Sequence, residues 1–124
     1  MQEPKTLEET YDQCTAEGAL VELAIENTQR LKDYMANAEI NIDSAITLMK
    51  GLEKQDKKWM SVYIHYYEAL RIYSEVLKII DGKKALNHQC LFAALCINHP
   101  ELELNWDFFE KIRTKRNGAN YYGD

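Results

Sequence analysis

The sequence predicts an all-α protein, an antiparallel up-and-down bundle of about five helices. Three observations carry that expectation. Glycine and proline are scarce, five and two in 124 residues, where a sandwich or barrel would need many more turns. Apolar residues recur at helical spacing through two long stretches in the middle of the chain. Helix-start signals stand at Thr6, Asn27, Asn87 and Asn105. The length suits a single domain over residues 1–124 with a real core.

Taken in order, Thr6-Leu-Glu-Glu9 has capping-box spacing and opens a first helix, which Gly18 ends. Ala19 to Glu26 reads as a connector or a short continued helix. Asn27 caps a second, long helix with Leu31, Tyr34, Met35, Ala38, Ile42, Ala45, Ile46 and Met49 inward. Gly51 and the charged run from Glu53 to Lys58 close it. The third helix runs from about Asp56 to Ile80. Its main face carries Trp59, Val62, Tyr63, Tyr66, Leu70, Tyr73, Leu77 and Ile80, and a flank adds Ala69, Ile72, Val76 and Ile79. Glu68, Arg71, Glu75 and Lys78 fall opposite, spaced to pair along the surface. So wide an apolar arc fits a helix buried on two sides, or one that also meets a second subunit. Asp81-Gly82 ends this helix. Asn87 caps a short fourth helix with Leu91, Phe92, Leu95 and Cys96 inward, stopped by Asn98-His-Pro100. Asn105 caps a fifth with Phe108, Phe109 and Ile112 inward. The hairpin of helices two and three is expected at the centre.

Composition narrows the function classes. A net charge of −5 makes the surface as a whole unattractive to polyanions, so any nucleic-acid contact has to be local. No apolar run approaches a membrane span, and the start Met1-Gln-Glu-Pro-Lys5 lacks a basic-then-apolar signal. Three cysteines is an odd count, which points to reduced, packed thiols and a cytoplasmic location. Cys90, Cys96 and His99 lack the paired spacing of a zinc site, and no metal or cofactor is expected. His65 reads as a packed histidine on the flank of helix three, and His88 as part of a helix entry. The tyrosines of helix three, Tyr63, Tyr66, Tyr67 and Tyr73, read as core with hydroxyls reaching polar partners.

The chemistry concentrates at the end, in Arg113-Thr-Lys-Arg-Asn-Gly-Ala-Asn-Tyr-Tyr-Gly123. On a wheel of about 100° per residue, Arg116 falls in the sector of Phe108, Phe109 and Ile112, with Arg113 and Lys115 on its flanks. A guanidinium aimed at the core must meet a carboxylate, carbonyls, a partner subunit or a ligand phosphate. Glu39 and Asp43 are candidate internal partners. Asn117-Gly118 reads as a helix stop. Arg113, Arg116, Asn117, Asn120 and Tyr121 together could hold a nucleotide: arginine for phosphate, amide for a base edge, ring for stacking.

Three stretches give the chain a family likeness. They are Ala38-Glu-Ile-Asn-Ile-Asp-Ser-Ala45, then Tyr66-Tyr-Glu-Ala-Leu70 followed by Gly82 and Asn87-His88, and last Arg116-Asn117 with aromatic residues after it. In order and spacing they cover most of residues 28 to 123, and the chain resembles the HEPN superfamily of small helical nucleotide-binding domains. The resemblance implies a homodimer with Arg116 at its interface and a further helix after the motif, and the wide arc of helix three adds Ile72, Val76 and Ile79 to the expected interface. Many such domains are metal-independent ribonucleases whose motif runs from an arginine and a polar residue to a histidine. Arg116 and Asn117 match the first two positions, but the histidine is missing near Tyr121. A tyrosine is a poor general base at neutral pH. The expectation is therefore a non-catalytic domain that binds nucleotide or RNA phosphate, or partners a nucleotidyltransferase-like protein in a toxin–antitoxin pair. The alternatives are a divergent ribonuclease using Arg116, Asn117, Asn120 and Tyr121, and an adaptor bundle with no ligand.

Overall fold

The computed structural model describes residues 5–23 and 28–122, the last four of these by backbone alone. Five helices form, α1 Leu7–Ala16, α2 Thr28–Met49, α3 Trp59–Ile80, α4 His88–Asn98 and α5 Trp106–Tyr122, with a 3-10 turn at Pro100–Leu102. The all-α bundle is what the sequence predicts. No described helix is long and apolar enough to cross a membrane.

The caps form from the residues that signal them. Glu9 N–H donates to Thr6 Oγ1 at 3.1 Å while the Glu9 carboxylate accepts from Thr6 N–H, completing a capping box. Gly18 at φ +71° lets α1 end in a Schellman motif, with Ala19 N–H on the Cys14 carbonyl and Gly18 N–H on that of Thr15. Asn87 and Asn105 accept from Cys90 and Phe108 N–H at 2.8 and 2.9 Å. Asn27, the expected cap of α2, lies outside the described residues.

The stretch after α1 connects it to α2 and does not continue it as helix over its described residues, 19–23. Leu20–Glu22 forms a short strand, β1, antiparallel to β2 at Lys83–Ala85, in register Leu20↔Ala85, Val21↔Lys84 and Glu22↔Lys83. Gly82 at φ +79° ends α3 and aims the chain back along β1, and Leu23 N–H closes onto its carbonyl at 2.8 Å.

The centre of the fold is α4 and not the α2–α3 hairpin. Every residue from Cys90 to Cys96 is buried, so this helix is apolar all round and covered on every side. Phe92 stacks on Phe109 with centroids 4.7 Å apart and meets Tyr67 edge-on. By contrast α2 packs along one narrow stripe. Ala38 and Ala45 are fully buried, and Ala38 packs against Ala69 and Ile72. Met35, Ile46 and Met49, expected inward, are exposed because α3 covers only that stripe. Trp59, Tyr66 and Ile80 of α3 are exposed too, and Phe108 is 55% exposed beside a buried Phe109.

Two expectations of polarity are overturned. Lys78, assigned to the surface, is 2% exposed, its ammonium donating to Asp81 and Asn98 at 3.1 and 2.6 Å. The end of α4 covers it and supplies the amide that offsets its desolvation. The cysteines are not all reduced: Cys14 and Cys90 form a disulfide that ties α1 to α4, and Cys96 alone is free. An odd count excludes only complete pairing.

His99 closes the corner after α4, reaching Asp81 at 2.7 Å and Glu101 at 2.8 Å. Hydrogen bonds to Glu101 and then Asp81 hold its imidazolium above the ordinary histidine range. A base whose pKa is raised on folding stabilises most below its unfolded value, about 6.5, and loses that contribution as pH rises through the folded value. Thermal melts should therefore fall as pH climbs past about 6.5, and His99→Gln should flatten that part of the profile. An unchanged slope in the variant counts against the assignment.

Candidate functional site

The carboxyl half of α5 lies across the amino end of α4. Asn87 turns its side chain back to cap α4, so His88 and Gln89 stand in the first turn, where backbone N–H groups face outward. Arg113 and Asn117 approach from α5. These residues and Leu86 line one open cleft.

Glu110 organises the wall. Its carboxylate accepts from Arg113 Nε at 2.9 Å and Nη2 at 3.1 Å, a bidentate pair, and from Gln89 Nε2 at 3.0 Å. One carboxylate thus fixes a side chain from each helix. Arg113 Nη1 takes no partner among the described residues.

Behind the wall lies Arg116. It turns inward, as its place on the wheel implies, and its side chain is 22% exposed. Its guanidinium lies over the Tyr67 ring, 5.7 Å from the centroid, and Nη2 donates to Glu68 Oε1 at 3.4 Å. Its Nε is buried with no hydrogen-bond partner among the described residues. The partner is Glu68 and not Glu39 or Asp43, which are exposed on α2. Arg71 shares that carboxylate at 2.8 Å and also reaches Glu75 at 3.0 Å. Burial alone would raise the Glu68 carboxyl, but Arg71 and then Arg116 outweigh it and hold it below the ordinary range.

Tyr67 joins this cluster to the cleft. Its hydroxyl lies 3.0 Å from His88 Nδ1. Burial pushes the phenol up to about 12, and burial followed by the charges of Arg71 and Arg116 holds the His88 imidazole below its usual value. At neutral pH the pair is a phenol against a neutral imidazole. Tyr63 locks α3 to α5, its hydroxyl donating to the Ile112 carbonyl at 2.6 Å, with Lys115 over its ring.

Of the sequence-predicted ligand-binding residues, the cleft brings together Arg113 and Asn117. Arg116 sits behind it. The side chains of Asn120 and Tyr121 lie outside the described residues, although the backbone there continues as helix. The Asn117-Gly118 stop does not occur, and Gly118 is not among the glycines at positive φ. Ile72, Val76 and Ile79, expected at a dimer interface, are buried within the chain beneath α2. Asn87, His88 and Gln89 were not expected in a site at all. The Asn87 cap signals a helix amino end, but nothing local says that α5 crosses it.

The other candidate ligands have structural places. His65 Nδ1 meets Asn41 Oδ1 at 2.9 Å. Cys90 is bonded to Cys14, and burial raises the Cys96 thiol to about 11. Among the described residues no three histidine, cysteine or carboxylate side chains meet as a metal site.

No family model, curated protein or solved structure matches the chain.

Proposed function

We propose that this chain is a non-catalytic, HEPN-like helical domain that binds the phosphate of a nucleotide or RNA in the cleft between α4 and α5. The observation that carries the reading is the convergence there of Arg113, Asn117 and the first turn of α4. A helix amino end supplies oriented N–H groups, and an arginine held by a carboxylate is preorganised for an oxyanion. Arg116 then acts from behind, fixing Glu68 and Tyr67 and adding positive potential at His88.

Fluorescence anisotropy with a short labelled RNA, competed by nucleoside monophosphates, tests the site. Arg113→Ala should weaken binding about tenfold or more, since a charged hydrogen bond contributes about 1.5–3 kcal/mol. Asn117→Ala should weaken it less. Failure of the wild type to bind any of these ligands leaves an adaptor bundle whose arginines serve its own carboxylates.

One observation favours the enzyme reading as a rival. His88 brings to the cleft an imidazole that the carboxyl-terminal motif lacks, and it is neutral at pH 7 as a general base requires. RNA cleavage that persists in chelator and disappears in both Arg113→Ala and His88→Ala would establish a divergent ribonuclease.

Self-association belongs to the same proposal, on a different surface from the one the sequence suggested. Tyr63, Tyr66, Leu70, Phe108 and Ile112 line an apolar groove between α3 and α5, and Tyr66 and Phe108 are exposed at its edge. Light scattering should find a homodimer that Phe108→Ser converts to monomer. A monomeric wild type at high concentration would leave a nucleotidyltransferase-like protein, as in a toxin–antitoxin pair, as the proposed occupant. A cytoplasmic setting goes with this reading, and the Cys14–Cys90 bond pulls against it, because cytosolic thiols are kept reduced.

A further inference from the structure

The amides of the cleft are not free to turn. Glu110 Oε2 accepts from Gln89 Nε2 at 3.0 Å and from Arg113 Nη2 at 3.1 Å. A carboxylate paired with an arginine only accepts, so Gln89 faces it with the NH2 of its amide and turns Oε1 away. That Oε1 accepts from none of the described residues, and it is not enclosed, so it stands open to solvent on the cleft wall. Asn87 is fixed in the opposite sense: its Oδ1 accepts from Cys90 N–H, which leaves Nδ2 to donate.

A phosphate alone does not satisfy this pattern. Arg113 Nη1 and Asn87 Nδ2 suit its oxygens, but Gln89 Oε1 is an acceptor and repels them. A donor has to lie there. The amide and the guanidinium share Glu110 Oε2, so that donor stands beside the phosphate and not a nucleoside's length away. The cleft, about 450 Å³, has room for both groups. His88 is the one ring among the described residues lining it, and Tyr67 already holds its Nδ1. The rest of that wall is amide, guanidinium and Leu86, which suits sugar and phosphate better than the face of a base.

We infer that Gln89 is the specificity-determining residue of the cleft: its Oε1 accepts from a hydroxyl on the carbon next to the one that carries the phosphate. In RNA that hydroxyl is the ribose 2′-OH beside each 3′-phosphate, and DNA lacks it. This role presupposes that phosphate binds at Arg113, as proposed above.

Fluorescence anisotropy of the full chain with three short labelled strands of one sequence, in RNA, DNA and 2′-O-methyl RNA, tests it. RNA should bind about threefold to tenfold tighter than DNA, the effect of one neutral hydrogen bond. The 2′-O-methyl strand should fall with DNA, because it keeps the oxygen and has no proton to donate. Gln89→Leu should bring RNA close to DNA, while Arg113→Ala should weaken all three. Equal binding of RNA and DNA that Arg113→Ala still weakens would overturn the role of Gln89 and leave the phosphate site standing. So would a 2′-O-methyl strand that binds like RNA, or an RNA preference that survives Gln89→Leu. Binding of none of the strands would overturn both. The comparison of strands on the wild type does not depend on how a variant folds, and Glu110 keeps its bidentate pair with Arg113 when Gln89 is truncated.

Discussion

Cys14→Ser should lower the free energy of unfolding by about 4 kcal/mol, the largest loss expected from any change outside the aromatic core. The bond joins residues 76 apart in sequence, and both cysteines are buried. Closing so long a loop in the unfolded chain removes conformational entropy worth about 4–4.5 kcal/mol at room temperature. For a domain of this size that corresponds to a fall in melting temperature of about 15 °C. Urea melts of the wild type with and without reductant, beside Cys14→Ser and Cys14→Ser with Cys90→Ser, check it. The reduced wild type should match the double variant closely, because serine nearly preserves the shape. If reductant leaves the wild type unmoved while both variants fall, packing of the sulfurs matters and the crosslink does not. The bond also reaches the proposed site, because Cys90 N–H is the group that Asn87 caps at the cleft. Reduction should therefore weaken phosphate binding as well as stability.

What could be read from the residues, and what could not, follows from where each signal resides. Helix ends are local: Thr6, Gly18, Asn87 and Asn105 act on backbone groups within a few positions, so their spacing is enough to place them. The β1–β2 ribbon escapes because three residues are too few for an alternating pattern. The disulfide joins positions with no fixed spacing. Lys78 follows the helical surface pattern in sequence, and its burial rests on Asp81 together with Asn98, twenty residues away on α4. Arg116 shows both sides of this. Its inward direction is a property of α5 alone and is visible on a wheel. Its partner Glu68 sits on the helix the wheel cannot see. For the same reason the cleft itself was illegible. Arg113 and Asn117 stand out in the sequence, but His88 and Gln89 do not, and only the crossing of α4 by α5 brings the two pairs together.

Phe109→Ala should cost about 4 kcal/mol, while Phe108→Ala, one residue away and chemically identical, should cost the isolated chain less than about 0.5. The wheel places both rings in the same inward sector, and the fold separates them. Phe109 is 3% exposed and stacks on Phe92, itself fully buried within α4. Truncation there removes a ring from the cluster that joins α3, α4 and α5, and leaves a cavity that Phe92, flanked on its other side by Tyr67, cannot move to fill. Phe108 is 55% exposed, so most of its surface never left water and little transfer free energy is at stake. Urea denaturation of the two variants at low protein concentration decides between the wheel and the fold. Equal losses would mean that Phe108 is covered in the folded chain. The same pair separates stability from association. Phe108 lies on the apolar groove between α3 and α5, so its truncation should act on the concentration dependence of the melt and not on the melt of the monomer. Phe109→Ala should lower stability at every concentration alike. If Phe108→Ala is silent in both respects, the groove is not an interface between copies of this chain.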